Sequence, residues 1–130
     1  MQNENLEKLN TDDFEISKLQ SLLDLKTDDN YEFFGQLIQT YIDQFNLLWP
    51  QATEANKTGD FKKLRHMMHQ LGGINATIGV TSLYHKCRDG MVEADNQKKL
   101  THEFVTFMED KKKNVIDQLK NLLTNLHSKI

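Results

Sequence analysis

Apolar residues recur every three or four positions along most of the chain, and this spacing predicts amphipathic helices. No segment alternates apolar and polar residues for long enough to predict a strand. Residues 1–13 are mostly polar and are predicted to form an N-terminal tail. After this tail, the pattern predicts one short helix followed by four long helices.

The predicted inward face of each helix consists of apolar residues at helical spacing. On the short helix these residues are Leu19, Leu22 and Leu23. On the four long helices they are, in chain order, Phe34, Leu37, Ile38, Tyr41, Ile42, Phe45, Leu48, Trp49, Ala52 and Ala55; then Phe61, Leu64, Met68, Leu71, Asn75 and Ile78; then Leu83, Cys87, Met91 and Ala94; and finally Leu100, Phe104, Phe107, Met108, Val115, Leu119, Leu122, Leu123 and Leu126.

Residues with capping preferences predict where the first two helices begin. Ser17 is expected to cap the short helix. Asp29, with Glu32 three residues later, resembles a capping box that opens the second helix. Pro50 is expected to kink the second helix without ending it, because the apolar spacing continues beyond it.

Glycines and hydroxyl residues predict the remaining boundaries. Gly59–Asp60 indicates the end of the second helix and the N-cap of the third. Gly79 is expected to end the third helix, and Thr81 or Ser82 to cap the fourth. The last helix is predicted to begin near Lys98.

Four long amphipathic helices joined by short turns favour an all-α fold. The predicted architecture is an up-and-down antiparallel four-helix bundle with a short extra N-terminal helix. A chain of 130 residues suits one domain with one core, which we place at residues 14–130.

Composition narrows the classes of function. The formal net charge of −3 argues against a nucleic-acid-binding protein, which would normally be basic. No stretch approaches the ~18–20 apolar residues of a membrane span, and no apolar run follows the N-terminus as in a signal peptide. The single cysteine, Cys87, excludes an internal disulfide and fits a reducing compartment. We therefore expect a cytoplasmic domain that binds neither nucleic acid nor membrane.

The third helix contains the strongest chemical signal. Two adjacent glycines, Gly72 and Gly73, cost a helix roughly 2 kcal/mol relative to two alanines, which is easier to understand if something must approach the backbone there. At 100° per residue, His69 lies about 140° from Leu64 and so falls outside the core stripe. The open flank around it is predicted to contain Lys62, Arg65, His66, Gln70, Gly72, Gly73 and Ala76.

The segment His-Gln-Leu-Gly-Gly-Ile-Asn-Ala-Thr-Ile-Gly-Val, residues 69–80, resembles the signature of histidine-containing phosphotransfer (HPt) domains. That signature runs His-x-Leu-Lys-Gly-Ser-Ser-x-x-x-Gly-Ala, with Leu and often Cys further on. His69, Leu71, Gly73 and Gly79 match it, and Leu83 and Cys87 follow at the family spacing. The resemblance covers about residues 14–125 and implies the same helical-bundle fold.

The resemblance implies a phosphoryl carrier. A neutral imidazole can act as a nucleophile, and His69 would take a phosphoryl group from a receiver-domain aspartate and return it to another receiver. The implied partners are receiver domains of hybrid histidine kinases and response regulators, which would supply the Mg²⁺, so no cofactor of its own is expected. No phosphate-binding loop or kinase motif is present, so the chain is not expected to draw phosphate from ATP. We expect a monomer that docks partners through the open flank and part of the second helix.

Two departures from the signature matter. Gly72 stands where the family has a lysine, and Ile74–Asn75 replace a pair of small serines. In the family, that lysine lies near the phosphohistidine and offsets its charge. Here, Arg65 and Lys62 precede His69 by one and two turns, and we hypothesise that Arg65 partly replaces the lysine.

Other interpretations of the same residues remain open. The chain could be an adaptor that docks receivers without being phosphorylated, or a helical-bundle module that binds an unrelated partner. His66 and His69 could form a metal pair, although no carboxylate stands at bundle-type metal spacing on this helix. His85, His102 and His127 are expected to be surface residues, Cys87 a core residue, and the lysines at 111–113 part of a solvated face.

Overall fold

The computed structural model describes residues 2–25 and 31–127. The regular elements of these residues are helical. After a short 3₁₀ helix, Glu4–Lys8, come five α-helices: α1 (Ile16–Asp24), α2 (Glu32–Thr58), α3 (Phe61–Ile78), α4 (Thr81–Asp95) and α5 (His102–His127). The predicted all-α helical bundle is confirmed.

The four long helices, α2 to α5, run antiparallel to their neighbours. Tight turns connect α2 to α3 and α3 to α4. Helix α5 returns along α2: the Asn56 side chain bonds the Leu100 backbone at one end, and Gly35 lies against Leu123 at the other. The short helix α1 and the 3₁₀ helix pack together, α1 against α3 and the 3₁₀ helix against α5.

Both predicted glycine stops are confirmed. Gly59 and Gly79 end α2 and α3 in the left-handed conformation, with φ of 73° and 85°. This conformation is strained for residues with a Cβ, which explains glycine at both positions. Asp60 caps α3 as predicted, since its carboxylate accepts a hydrogen bond from the Lys63 N–H at 3.2 Å.

Helix α2 continues through Pro50, as predicted, and Ala52 and Ala55 beyond it are buried. The prediction for Ser17 is wrong: α1 begins at Ile16, and Glu15 occupies the cap position without a side-chain bond. Asp29 of the predicted capping box lies outside the described residues.

The starts of α4 and α5 were both predicted wrongly. Val80 precedes α4, and the Thr81 hydroxyl donates to the Asp13 carbonyl at 3.3 Å instead of capping its own helix. Helix α5 begins at His102, not near Lys98. Thr101 caps it, since the Thr101 hydroxyl accepts a hydrogen bond from the Phe104 N–H at 3.1 Å, and Asn56 of α2 holds Leu100 by hydrogen bonds to both its N–H and its carbonyl. The Thr101 cap is a local signal, whereas the contacts of Thr81 and Leu100 come from distant segments.

The N-terminal segment packs on the bundle. Leu6 and Leu9 are buried, and so is Asp13, whose carboxylate lies 3.0 Å from the Lys111 Nζ of α5. Over residues 2–13, the predicted polar tail is therefore not a separate tail, and Lys111 is not simply part of a solvated face.

Phe107, predicted to face the core, is exposed and lies under the Lys86 ammonium group, 4.9 Å from the ring centroid.

A polar pair crosses the core between α2 and α3. The Tyr41 hydroxyl donates to Asn75 Oδ1 at 2.6 Å, and Asn75 Nδ2 donates to the Leu71 carbonyl at 2.8 Å. Burial, and secondarily the nearby Cys87, raises the pKa of Tyr41 far above its ordinary value, so the hydroxyl stays protonated as a donor. The buried asparagine is satisfied in this way and fixes the register of α2 against α3.

We expect Asn75→Ala to lower the free energy of unfolding by about 1–3 kcal/mol, because it leaves the buried Tyr41 hydroxyl without its acceptor. Denaturant unfolding measures this change. The matched control is Thr77→Ala, two residues away on the exposed side of the same helix, which should stay within about 0.5 kcal/mol of the parent protein. Equal stability of the two variants would contradict the role assigned to the pair.

Candidate functional site

Helix α3 is divided into a buried stripe and an open face. Of the predicted stripe, Leu64, Met68, Leu71, Asn75 and Ile78 are buried and Phe61 is half-buried, while His69 is exposed. The predicted orientation of His69 is therefore confirmed. Within the described chain, the His69 side chain has no hydrogen bond or ion pair.

The structure brings most of the predicted docking residues onto one surface. Besides His69, the exposed residues of this surface, which we call the open face of α3, are Lys62, Arg65, His66, Gln70, Gly73 and Ala76. That these residues contact a partner stays a prediction.

The placement of Gly72 on this open face is corrected by the structure. Gly72 is buried where α3 meets α4, and a Cβ built on it would lie 3.5 Å from Cys87 Cβ and 4.0 Å from Tyr84 Cδ1. Helix α4 covers this side of α3, so Gly72 has no surface to offer a partner. Both distances are ordinary van der Waals contacts, so the two helices lie close together here without excluding a Cβ.

Gly73 lies outside this contact. It is exposed, and a Cβ built on it would meet nothing within 4 Å. Since the fold itself does not require glycine here, the bare backbone one turn after His69 leaves space outside the helix. Of the two adjacent glycines, Gly72 therefore lies in the contact between α3 and α4, whereas Gly73 leaves space on the surface of the protein.

Arg65 already has a partner. Its Nε lies 2.7 Å from Asp95 Oδ1, at the end of α4, and both side chains are about half exposed. An exposed pair of this kind adds little stability, typically ~0.2–1 kcal/mol, but it neutralises the arginine. The geometry therefore does not favour the hypothesis that Arg65 replaces the family lysine.

The remaining histidines and the cysteine lie where they were expected. His66, His85, His102 and His127 are exposed. Cys87 is buried, and burial raises the pKa of its thiol to about 12, so it is an unreactive core residue. In the part of the chain that the structure describes, no three His, Cys, Asp or Glu side chains cluster as metal ligands would.

Sequence reasoning missed two features beside the open face. The first is Arg88 on α4, whose Nη1 donates to the Tyr84 hydroxyl at 3.1 Å and whose guanidinium lies 5.9 Å from the Tyr84 ring centroid. The i, i+4 spacing of these two residues was a signal for this contact. However, only the packed structure shows that the pair lies next to Gly72.

The second missed feature is Leu47 on α2, a large apolar side chain that is 64% exposed. The Tyr41–Asn75 bond and the turn at Gly59–Asp60 fix the register of α2 against α3. In two antiparallel helices the residue numbers run in opposite directions. Counting from these two points along both helices therefore places His69 level with residues 47–50 of α2. Leu47 is therefore an exposed apolar side chain at the height of the exposed histidine.

Fold and site together define a class: an all-α bundle that presents an exposed, unpaired histidine one turn before an exposed glycine on the outside of a central helix. Among the helices described, none combines the length and apolar composition needed to cross a membrane.

Comparison with known proteins gives one informative similarity. The chain is 30% identical over 71 residues to a protein named Multistep phosphorelay regulator 1 from Schizosaccharomyces pombe. The match includes 55% of this chain but only 24% of the yeast protein, so the chain spans about a quarter of that relative's length. No model of a known protein family matches the chain.

The two glycines should respond oppositely to the same substitution. Gly72→Lys should lower the free energy of unfolding by about 1–3 kcal/mol, because it confines a long charged side chain in the buried contact between α3 and α4. Gly73→Lys should raise it by up to ~1 kcal/mol, because lysine is a better helix former than glycine and meets open space. Thermal or denaturant unfolding of the two variants measures the difference, and loss of stability in both would contradict the open space at Gly73.

Proposed function

We propose that this chain is a histidine phosphotransfer protein of a multistep phosphorelay. In this proposal His69 accepts a phosphoryl group from the aspartate of one receiver domain and passes it to the aspartate of another. The name of the Schizosaccharomyces pombe relative supports a phosphorelay role in general. The resemblance of residues 69–80 to the HPt signature and the geometry of the open face support the specific role of His69.

The observation that carries the proposal is the state of His69. Its imidazole is exposed and unpaired in the described structure, and the backbone one turn later, at Gly73, is uncovered. No internal contact has to break before a second protein reaches the ring. A phosphoryl group on the ring could extend over Gly73 without meeting a side chain there.

The proposed step is an exchange of one bond to phosphorus for another. A neutral imidazole nitrogen of His69 attacks the phosphorus of the receiver's acyl phosphate, the new N–P bond forms, and the O–P bond to the receiver aspartate breaks. The aspartate leaves as a carboxylate. The reverse exchange on a second receiver regenerates free His69, so the chain is a carrier that is not consumed.

The proposal assigns the remaining machinery to the partner. A receiver domain would provide the acidic pocket and the Mg²⁺ that offsets the charge of the transferring group, so this chain would need no cofactor and no ATP site of its own. We place the protein in the cytoplasm as a monomer, with receiver domains of hybrid kinases and response regulators as its partners.

The proposal also includes a docking surface for the receiver domain. A transient signalling complex buries on the order of 1,200 Å² or less. A patch of that size centred on His69 would include the open face of α3 and the exposed Leu47 at the same height on α2. An apolar side chain within such a patch is a suitable anchor for a partner.

The test is phosphoryl transfer from a receiver domain that has been phosphorylated in the presence of Mg²⁺. We expect the label to move to this chain as an acid-labile, base-stable phosphoramidate. His69→Gln should abolish the transfer, because glutamine cannot form the N–P bond. The matched control is His102→Gln, which removes an exposed histidine outside the open face and should leave labelling intact, while ATP alone should label nothing.

Labelling that persists in His69→Gln would contradict the assignment of the acceptor. Binding of the phosphorylated receiver without any transfer would contradict the carrier role and favour the adaptor alternative.

A further inference from the structure

The packing of α3 against α4 determines what stands beside His69. Three contacts fix their antiparallel register: Gly72 faces Cys87, Met68 lies against Gly90, and Arg65 pairs with Asp95. Because the residue numbers of the two helices run in opposite directions, counting from each contact along both helices places His69 level with residues 89–91 of α4.

His69 also lies on the side of α3 that faces α4. Arg65 and Gly72 both contact α4, and they lie one turn before and one turn after His69. At 100° per residue, His69 is only about 40° around the helix from Arg65 and about 60° from Gly72. Its ring therefore projects along the α4 side of the open face.

Arg88 occupies the matching edge of α4. Tyr84 and Asp95 both contact α3, and Arg88 lies just beyond them on the same flank of α4, about 40° around the helix from Tyr84 and about 20° from Asp95. It is one to three residues from the level of His69, which is roughly 1.5–4.5 Å along the helix axis. Two long, exposed side chains on facing edges of neighbouring helices are within reach of one group placed between them.

The charge of Arg88 is available. Its guanidinium is exposed and rests on the Tyr84 ring, with a hydrogen bond to the Tyr84 hydroxyl. Among residues 2–25 and 31–127, no carboxylate pairs with it, whereas Arg65 is neutralised by Asp95. Tyr84 is itself packed beside Gly72, so the ring that supports Arg88 belongs to the α3–α4 contact.

We propose that Arg88 binds the phosphoryl group carried by His69. This inference rests on the proposed function. A phosphoryl group on imidazole has peripheral oxygens that share a negative charge, and a planar guanidinium can donate two parallel hydrogen bonds to them. Gly72 on α3 provides no cation, so α4 supplies it from the opposite edge. The Tyr84 ring holds the guanidinium in position before the phosphoryl group arrives.

The test uses phosphoramidate as a small phosphoryl donor, which removes any contribution from docking. In the reaction, the P–N bond of phosphoramidate breaks, an N–P bond to His69 forms, and ammonia leaves. We expect Arg88→Ala to slow the initial rate of His69 phosphorylation roughly threefold to tenfold, with Arg88→Lys intermediate. The matched control is Lys86→Ala, which removes a cation from the same helix that faces Phe104 and Phe107 of α5, and it should change the rate by less than about twofold.

A second readout reports the contact directly. The ³¹P resonance of the phosphorylated histidine shifts when the phosphoryl group takes up its last proton, and a bound guanidinium favours the deprotonated form. The midpoint of this titration should therefore rise by roughly half a pH unit in Arg88→Ala. The difference should shrink at high salt, because the site is exposed. A purely structural role for Arg88 would leave the midpoint unchanged.

The outcomes separate the two proposals. If His69 is phosphorylated and both the rate and the ³¹P midpoint are the same in Arg88→Ala as in the parent chain, the role of Arg88 is overturned. If neither phosphoramidate nor a phosphorylated receiver labels His69 in the parent chain, the proposed function itself fails.

Discussion

The close contact between α3 and α4 is the constraint on which the site depends. A glycine stands on each helix where they meet: Gly72 lies against Cys87 and Tyr84, and Gly90 lies against Met68 and Phe104. A Cβ at Gly90 would come within 2.7 Å of the Met68 side chain, so the present packing has no room for one. This contact fixes the side of α3 that α4 covers and thereby the side that stays open.

The consequence is an unusual division of roles between neighbouring residues. Gly72 is buried against α4, whereas Gly73 is exposed on the outside of the protein. In the same way, Arg65 is paired across the contact, while Arg88 stands beside the contact with its charge available. The same two helices thus provide the rigid support for His69 and the space around it, and a site built on helices is better fixed than one on loops.

Much of the fold could be predicted because its signals are local. The glycines that end α2 and α3 adopt positive φ, and Asp60 caps the helix that directly follows it. Several errors lie where distant segments intervene. Asn56 binds Leu100 just before α5, and the buried Asp13 secures the N-terminal segment through Lys111. Neither contact leaves a mark in the spacing of apolar residues.

The same distinction applies to the candidate site. The exposure of His69 follows from its angle to Leu64 on a single helix, so the sequence alone predicts it. The burial of Gly72 and the position of Arg88 depend on which flank of α3 the next helix covers. Helical periodicity gives the angle of a residue on its own helix and not the position of a neighbouring helix, so these two residues could be placed only in the structure.

The most direct test of a reachable histidine on an open helical face is to map where a partner binds. Backbone amide resonances of the ¹⁵N-labelled chain would be followed while a receiver domain that phosphorylates it is added. The account predicts that the shifted resonances centre on residues 62–76 of α3, Gly73 among them, and extend to Leu47 on α2 and Arg88 on α4. Shifts centred on the 3₁₀ helix and the adjacent end of α5, with Gly73 unchanged, would contradict it.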